Sequence, residues 1–181
     1  MANGATDGER DRFRQVVLPY LADCYALARW LTGDRADAED VVQETCLRAL
    51  RAIGGFAGNN ARAWTLTIVR NTAYSWLRKN RPAALVMVDD LEAIERSRVD
   101  CGDGGSATPE SVLIAKTETA RLERAIAELP IPFRETLVLR DVQGLGYRDI
   151  ADITGVPVGT VMSRLARARD RLIATIGKDA P

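Results

Sequence analysis

Between residues 45 and 88 the chain carries no aspartate or glutamate. Seven cations occupy that stretch: Arg48, Arg51, Arg62, Arg70, Arg78, Lys79 and Arg81. Phe56, Trp64, Tyr74 and Trp76 are interleaved with them. Cationic side chains can track a phosphate backbone while aromatic faces stack on exposed bases. The bland alternative is a solvated helix face over core aromatics. It fits Trp64 taken alone, because Trp64, Leu66 and Ile68 suit one buried helix face. For the tract as a whole, the composition points to nucleic acid. A second cationic feature lies at 146 to 172, GYRDIADITGVPVGTVMSRLARARDRL. Ile150 and Ala151 would sit on a short helix, Gly155 and Val156 in a turn. Val161 and Leu165, four apart, would face inward on a second helix. Arg164, Arg167, Arg169 and Arg171 spread over that second helix, with Asp170 opposing them. This is the pattern of a helix-turn-helix whose second helix enters a DNA major groove. A packed helical hairpin with a solvated arginine face is the competing reading.

Other chemistries find little support. The chain has no histidine and its three cysteines, Cys24, Cys46 and Cys101, form no CxxC pair. A zinc site and a disulfide framework are therefore not expected, nor is histidine-based acid–base catalysis. No nucleophile–base pair, phosphate loop or metal cluster is evident, so neither an enzyme nor a cofactor is expected. The odd number of unpaired cysteines suggests a reduced, cytoplasmic protein, and with no signal peptide and no apolar run long enough to cross a membrane, no membrane insertion is expected. The formal net charge is zero, which hides an asymmetry. Residues 9 to 81 carry 12 bases and eight acids, and residues 119 to 181 carry ten and eight. The stretch between them, 82 to 118, carries three bases and eight acids. Two mildly basic ends thus flank an acidic middle.

These side chains need helices to position them. Helices are expected at 9 to 18, 20 to 31, 35 to 53 and 61 to 78, with Pro19 opening the second and Gly33 closing it. In the second helix Leu21, Tyr25, Ala28 and Leu31 or Trp30 should face inward. Asp34 suits the N-cap of the third. On that helix Val42, Cys46, Ala49, Leu50 and Ile53 form one apolar stripe, which makes Cys46 a core residue. Gly54, Gly55, Gly58, Asn59 and Asn60 mark a loop. Residues 82 to 114 read as a linker, since VDCGDGGSATPES is rich in Gly, Ser, Asp and Pro. Leu122, Ile126 and Leu129 then resume the helical spacing, and 133 to 142 makes a further helix. The expected fold is all-α: two small helical domains, 9 to 81 and 115 to 176, joined by a flexible acidic linker, the second containing the helix-turn-helix.

Three segments together resemble a known family: DAEDVVQETCLRALR at 37 to 51, NARAWTLTIVRNTAYSWLRK at 60 to 79, and the helix-turn-helix. They are similar to bacterial RNA polymerase sigma factors of the extracytoplasmic-function group of the sigma-70 family. The resemblance implies promoter-specific transcription initiation, with core RNA polymerase and promoter DNA as partners. It implies that Asp40, Gln43, Glu44 and Leu47 dock on the clamp helices of the polymerase large subunit. It implies minus ten recognition by the first domain, where Phe56, Asn59 and Asn60 would line a pocket for an extruded base. Arg62, Asn71, Tyr74, Ser75, Arg78 and Lys79 would complete that surface. For the second domain it implies minus thirty-five recognition, with Thr160, Ser163 and Arg164 reaching base edges and Arg167, Arg169 and Arg171 contacting phosphates. It further implies an anti-sigma factor and a role in a stress or envelope response.

Two other classes compete. A helix-turn-helix regulator with an amino-terminal sensor domain would have no polymerase-docking helix, and DAEDVVQET argues against it. A sigma mimic that only titrates an anti-sigma factor would need no acid-free aromatic tract, and that tract argues against it.

Overall fold

The computed structural model describes residues 6–58, 60–85 and 112–178. The expected linker lies mostly outside the described residues, as do Asn59 and Cys101. All regular structure among the described residues is helical, and the sequence sets most of the helix ends. Helix α1, Asp7–Val16, begins with a capping box in which Thr6 and Glu9 satisfy each other's backbone amides. Pro19 sits in a short 3-10 turn, Leu18–Tyr20, where its missing amide costs nothing. Helix α2, Leu21–Thr32, ends on Gly33 at φ 77°. The Asp34 side chain then accepts from the amides of Ala36 and Asp37 and starts α3, Arg35–Ala52. Those amides hold its carboxyl below the usual range. Helix α4, Ala61–Asn80, is started by the Asn60 side chain, which accepts from the Ala63 amide.

The carboxy-terminal part comprises α5, Val112–Glu128, and α6, Ile131–Leu137, which runs on into a π-turn, Val138–Val142. Helices α7, Tyr147–Thr154, and α8, Val158–Lys178, make the helix-turn-helix. Gly155 turns between them at φ 71°. A Cβ built there meets nothing within 4 Å, so substitution would carry backbone strain alone. We expect Gly155→Ala to cost about 1–2 kcal/mol of stability, the left-handed penalty for an L-residue. Urea unfolding followed by circular dichroism would measure it, and an unchanged midpoint would remove the strain argument.

Helices α2, α3 and α4 form an amino-terminal bundle around Leu27, Leu31, Val41, Leu66, Val69 and Leu77. A smaller cluster of Val17, Ala49 and Ile53, flanked by Phe13, Phe56, Trp64 and Ile68, closes one end. In the carboxy-terminal part, Leu139, Ile150, Ile153, Val161 and Leu165 pack under the helix-turn-helix. The two parts do not stand apart. One buried cluster runs through both, with α6 against α2 and α7 against α4.

Several packing expectations need correcting. In α3 the buried line is Ala38, Val41, Thr45 and Ala49, while Val42, Cys46 and Leu50 are half-buried. In α2 the buried positions are Cys24, Leu27, Ala28, Leu31 and Thr32, with Leu21, Tyr25 and Trp30 only half-buried. Leu122 is exposed, and Ala125 takes its inward place beside Ile126 and Leu129. On α2 and α3 the cause is the treatment of threonine as polar. Thr45, Thr32 and Thr72 each donate to the carbonyl four residues back, which lets the hydroxyl enter the core satisfied. A register read from aliphatic residues alone is then displaced by about one position.

Candidate polymerase and nucleic-acid interfaces

The outward face of α3 opposes its buried line. Asp40, Gln43 and Leu47 are exposed on it, and Leu47 retains 51% of its accessible surface. Glu44, between them, accepts from Arg48 at 2.7 Å and is half-buried. Residues 40, 43, 44 and 47 lie on adjacent helical turns, so they form one acidic patch around an apolar centre.

Helix α4 and the loop before it gather the cations and aromatics. Phe56 is half-buried, packed on Trp64 with ring centroids 5.0 Å apart, and the Arg12 guanidinium lies 5.9 Å from the centre of its ring. Asn60 caps α4 and its amide nitrogen donates to Asp149 at 2.8 Å. Its side chain is therefore engaged at both ends, unlike the open pocket wall expected from the sequence. Arg62 donates to Asp23 at 2.7 Å and to the Gln143 carbonyl at 2.8 Å. Asn71, Ser75, Arg78 and Lys79 are exposed on the outer part of α4, and Ser75 donates to the Asn71 carbonyl. Tyr74 is half-buried and turns toward the carboxy-terminal part.

In the helix-turn-helix, Thr160 and Ser163 are half-buried near the start of α8, and Arg167 is half-buried one turn on. Arg169 is ion-paired with Asp141 at 2.9 Å, and Arg171 lies 5.0 Å over the Phe133 ring. Arg164 corrects the sequence expectation: it is only 4% exposed. Its guanidinium points to the interior, so in this arrangement it does not reach a base edge. A carboxylate that the sequence reading passed over lies on α6, which packs against α8. Glu135 on α6 is fully buried and close enough to Arg164 to feel its charge.

Glu135 organises the contact between the two parts. Arg70 donates its Nε to one carboxylate oxygen at 2.9 Å, and the Tyr74 hydroxyl donates to the other at 2.9 Å. The Arg70 guanidinium also lies 4.1 Å over the Tyr74 ring. Burial pushes the Glu135 carboxyl above its usual range, against the pull of Arg70, Tyr74 and Arg164. Burial and that carboxylate together raise the Tyr74 hydroxyl, which keeps its proton to donate. Around this centre Gln143 donates to the Asp23 carbonyl and Arg134 to the Trp30 carbonyl. A signal for Glu135 was present in the sequence. It shares a helical face with Ile131, Val138 and Leu139, so a carboxylate there must be buried and needs a partner.

Burial pushes the Cys24 thiol up to about 12 and also raises Cys46. Among the described residues no group of three or more acidic or cysteine side chains is placed to hold a metal.

Helices throughout the described residues, an acidic face around an exposed leucine, a cationic-aromatic helix and a helix-turn-helix are the parts of a transcription initiation factor. Comparison with known proteins agrees. Residues 16–83 match the family model for sigma-70 region 2, and residues 119–172 match sigma-70 region 4. The chain is 35% identical to the RNA polymerase sigma-H factor of Pseudomonas aeruginosa, covering 91% of this chain and 86% of that one. It is 33% identical to the extracytoplasmic-function sigma-E factor of Escherichia coli K12 with the same coverage. Its fold is similar to the sigma factor RpoE from Bartonella quintana, solved with the anti-sigma factor NepR. There the TM-score is 0.67 at 31% identity, over 93% of this chain and 98% of that one. CnrH, solved with the cytosolic domain of CnrY, gives a TM-score of 0.61 at 25% identity, over 93% and 89%. The chain belongs to the extracytoplasmic-function group of the sigma-70 family. It is a transcription initiation factor whose partners are core RNA polymerase and promoter DNA. No helix among the described residues is long and apolar enough to cross a membrane.

Proposed function

We propose that Asp40, Gln43, Glu44 and Leu47 on α3 form the polymerase-docking surface and that α4 reads the opened minus ten strand. The observation that carries this reading is the exposed leucine at the centre of the α3 acidic face, beside a helix whose outer side is cationic. An apolar centre ringed by polar groups is the anatomy of a protein interface. Asn71, Ser75, Arg78 and Lys79 meet the strand from the outer part of α4, with Tyr74 as the stacking platform and Phe56 at the loop. Thr160 and Ser163 read base edges in the minus thirty-five element, while Arg167, Arg169 and Arg171 hold phosphates. The protein works in the cytoplasm, with the polymerase, under an anti-sigma factor in a stress or envelope response. Support for that control comes from the similar sigma factors solved as anti-sigma complexes.

Magnitudes limit what the chain does alone. Extruding a base costs a few kcal/mol, and one aromatic stack returns about 1–3 kcal/mol. The isolated chain is expected to bind promoter duplex weakly and not to melt it. Run-off transcription with core polymerase over a promoter library tests the function, and absence of specific initiation would overturn it. Permanganate footprinting tests the limit: reactive thymines with the chain alone would show that the polymerase is not needed for melting.

A further inference from the structure

The outward side of the first turns of α8 has little polar reach. Val161, Leu165 and Ala168 face the core. At 3.6 residues per turn, Gly159, Met162, Ser163 and Ala166 then fall within an arc of about 100° on the other side. Gly159 and Met162 are exposed, and Ser163 and Ala166 are half-buried. Three of these four residues are small. Met162 is the one long side chain among them and keeps 49% of its accessible surface. The Ser163 hydroxyl donates to the Thr160 carbonyl at 3.0 Å, which leaves it an acceptor for any further bond. The arginines do not fill this face. Arg164 is buried behind it, while Arg169, paired with Asp141, and Arg171, over the Phe133 ring, lie about two turns further along.

A single exposed methionine is ordinary on a protein surface. Its place on α8 is what gives it a role. Residues at the start of a recognition helix meet base edges in the major groove. Small neighbours let the helix settle until its longest side chain reaches those edges. A thioether is at most a weak acceptor, so it does not read a base by hydrogen bonding. The base feature open to an apolar side chain in the major groove is the 5-methyl group of thymine. We propose that Met162 reads one thymine of the minus thirty-five element through that methyl group. Ala166, four residues on, lies beside Met162 and adds a methyl of its own to the contact. One promoter position is then chosen by apolar contact rather than by a hydrogen bond. Cytosine there is disfavoured twice, since it lacks the methyl and turns its N4 amine toward an apolar side chain. The inference rests on the reading of α8 as the minus thirty-five reader and adds the chemistry by which that helix selects a base.

The test uses the full chain assembled with core polymerase. Promoters enriched by run-off from a library define the preferred minus thirty-five element. Each thymine of that element, on either strand, is replaced in turn by deoxyuridine, which removes the methyl and keeps every hydrogen-bonding group. Equilibrium binding of the assembled polymerase to these labelled promoters is the readout. Burying one methyl group is worth about fourfold in affinity. The parent is expected to bind one of the substituted promoters about fourfold more weakly. Met162→Ala should bind the thymine and deoxyuridine forms of that promoter alike, and Met162→Leu, which keeps an apolar side chain, should retain most of the preference. Both variants should bind core polymerase as the parent does. A parent indifferent to every deoxyuridine, or a preferred element without thymine on either strand, would overturn the methyl contact while leaving α8 as the upstream reader. A Met162→Ala chain that keeps the parental preference would assign the methyl to another residue and overturn the role of Met162. A Met162→Leu chain that behaves like Met162→Ala would overturn the apolar basis of the contact. Enriched promoters that share no upstream sequence would overturn the reading of α8 itself, and the inference with it. If Met162→Ala lowers the melting temperature, Met162→Gln, of similar length but polar, decides by the same comparison.

Discussion

Leu47→Asp is expected to abolish specific initiation with core polymerase while leaving the chain folded. Leu47 is 51% exposed and belongs to neither buried cluster. Substitution there should move stability by no more than about 0.5 kcal/mol. The consequence appears only on docking. Burying a leucine side chain in an interface is worth about 1.5–3 kcal/mol, and an aspartate in its place adds an unpaired charge among Asp40 and Glu44. Together these weaken polymerase affinity by about tenfold to several hundredfold at 1.4 kcal/mol per decade. Competition with a labelled sigma factor for core polymerase measures the affinity, and run-off transcription measures the output. Wild-type transcription from the variant would remove Leu47 from the docking surface. Lost transcription with a lowered melting temperature would mean that the substitution damages the fold instead. The neighbouring Arg48→Ala change separates charge from shape: it frees Glu44 from its ion pair and should raise docking slightly or not at all.

The elements were largely legible in the sequence because each has strong local signals. Gly33 and Gly155 terminate α2 and α7 with left-handed backbone, and Asp34 and Asn60 supply cap oxygens. These are interactions within a few residues, and the chain order reveals them. Registers within helices were less legible. Thr45 and Thr72 are core residues whose hydroxyls are satisfied by their own helix, so a reading that counts only aliphatic side chains misplaces the buried line. Least legible was the contact between the two parts. Arg62 reaches Gln143 across 81 positions, and Asn60 reaches Asp149 across 89. No local pattern encodes such a pairing. The acidic composition of 82 to 118 suggested a tether that keeps the parts separate, whereas the apolar faces of α2 and α6 favour contact. Arg164 illustrates the cost of that omission. On the helix alone it is one of four arginines on a recognition surface, and only the packing of α8 against α6 shows that it is buried.

Arg70→Met should be the most damaging single change at the contact between the two parts. Methionine keeps much of the apolar stem of Arg70 but removes the guanidinium that accompanies the fully buried Glu135. Breaking a buried ion pair from one side costs about 3–5 kcal/mol, because the Tyr74 hydroxyl that still donates to Glu135 carries no charge to replace that of Arg70. That is a large share of the roughly 5–15 kcal/mol that stabilises a domain. The paired change Arg70→Met with Glu135→Leu should recover most of the loss, since it removes the charge as well. Recovery stays incomplete by about 1–3 kcal/mol, the cost of leaving the Tyr74 hydroxyl without its acceptor. Urea unfolding of the parent, both single variants and the double variant gives the coupling directly. A loss below about 0.5 kcal/mol for Arg70→Met, within the range of surface substitutions, would mean that Glu135 is solvated in the free chain and that the two parts do not close on each other. An intermediate loss has a structural meaning too. The chain can escape an uncompensated Glu135 by parting along the contact, so the measured cost is capped at the free energy that closes it. Hydrogen exchange separates the cases: capped loss exposes the amides of α6 and α7 early while α2 and α3 stay protected, whereas a full loss deprotects both parts together.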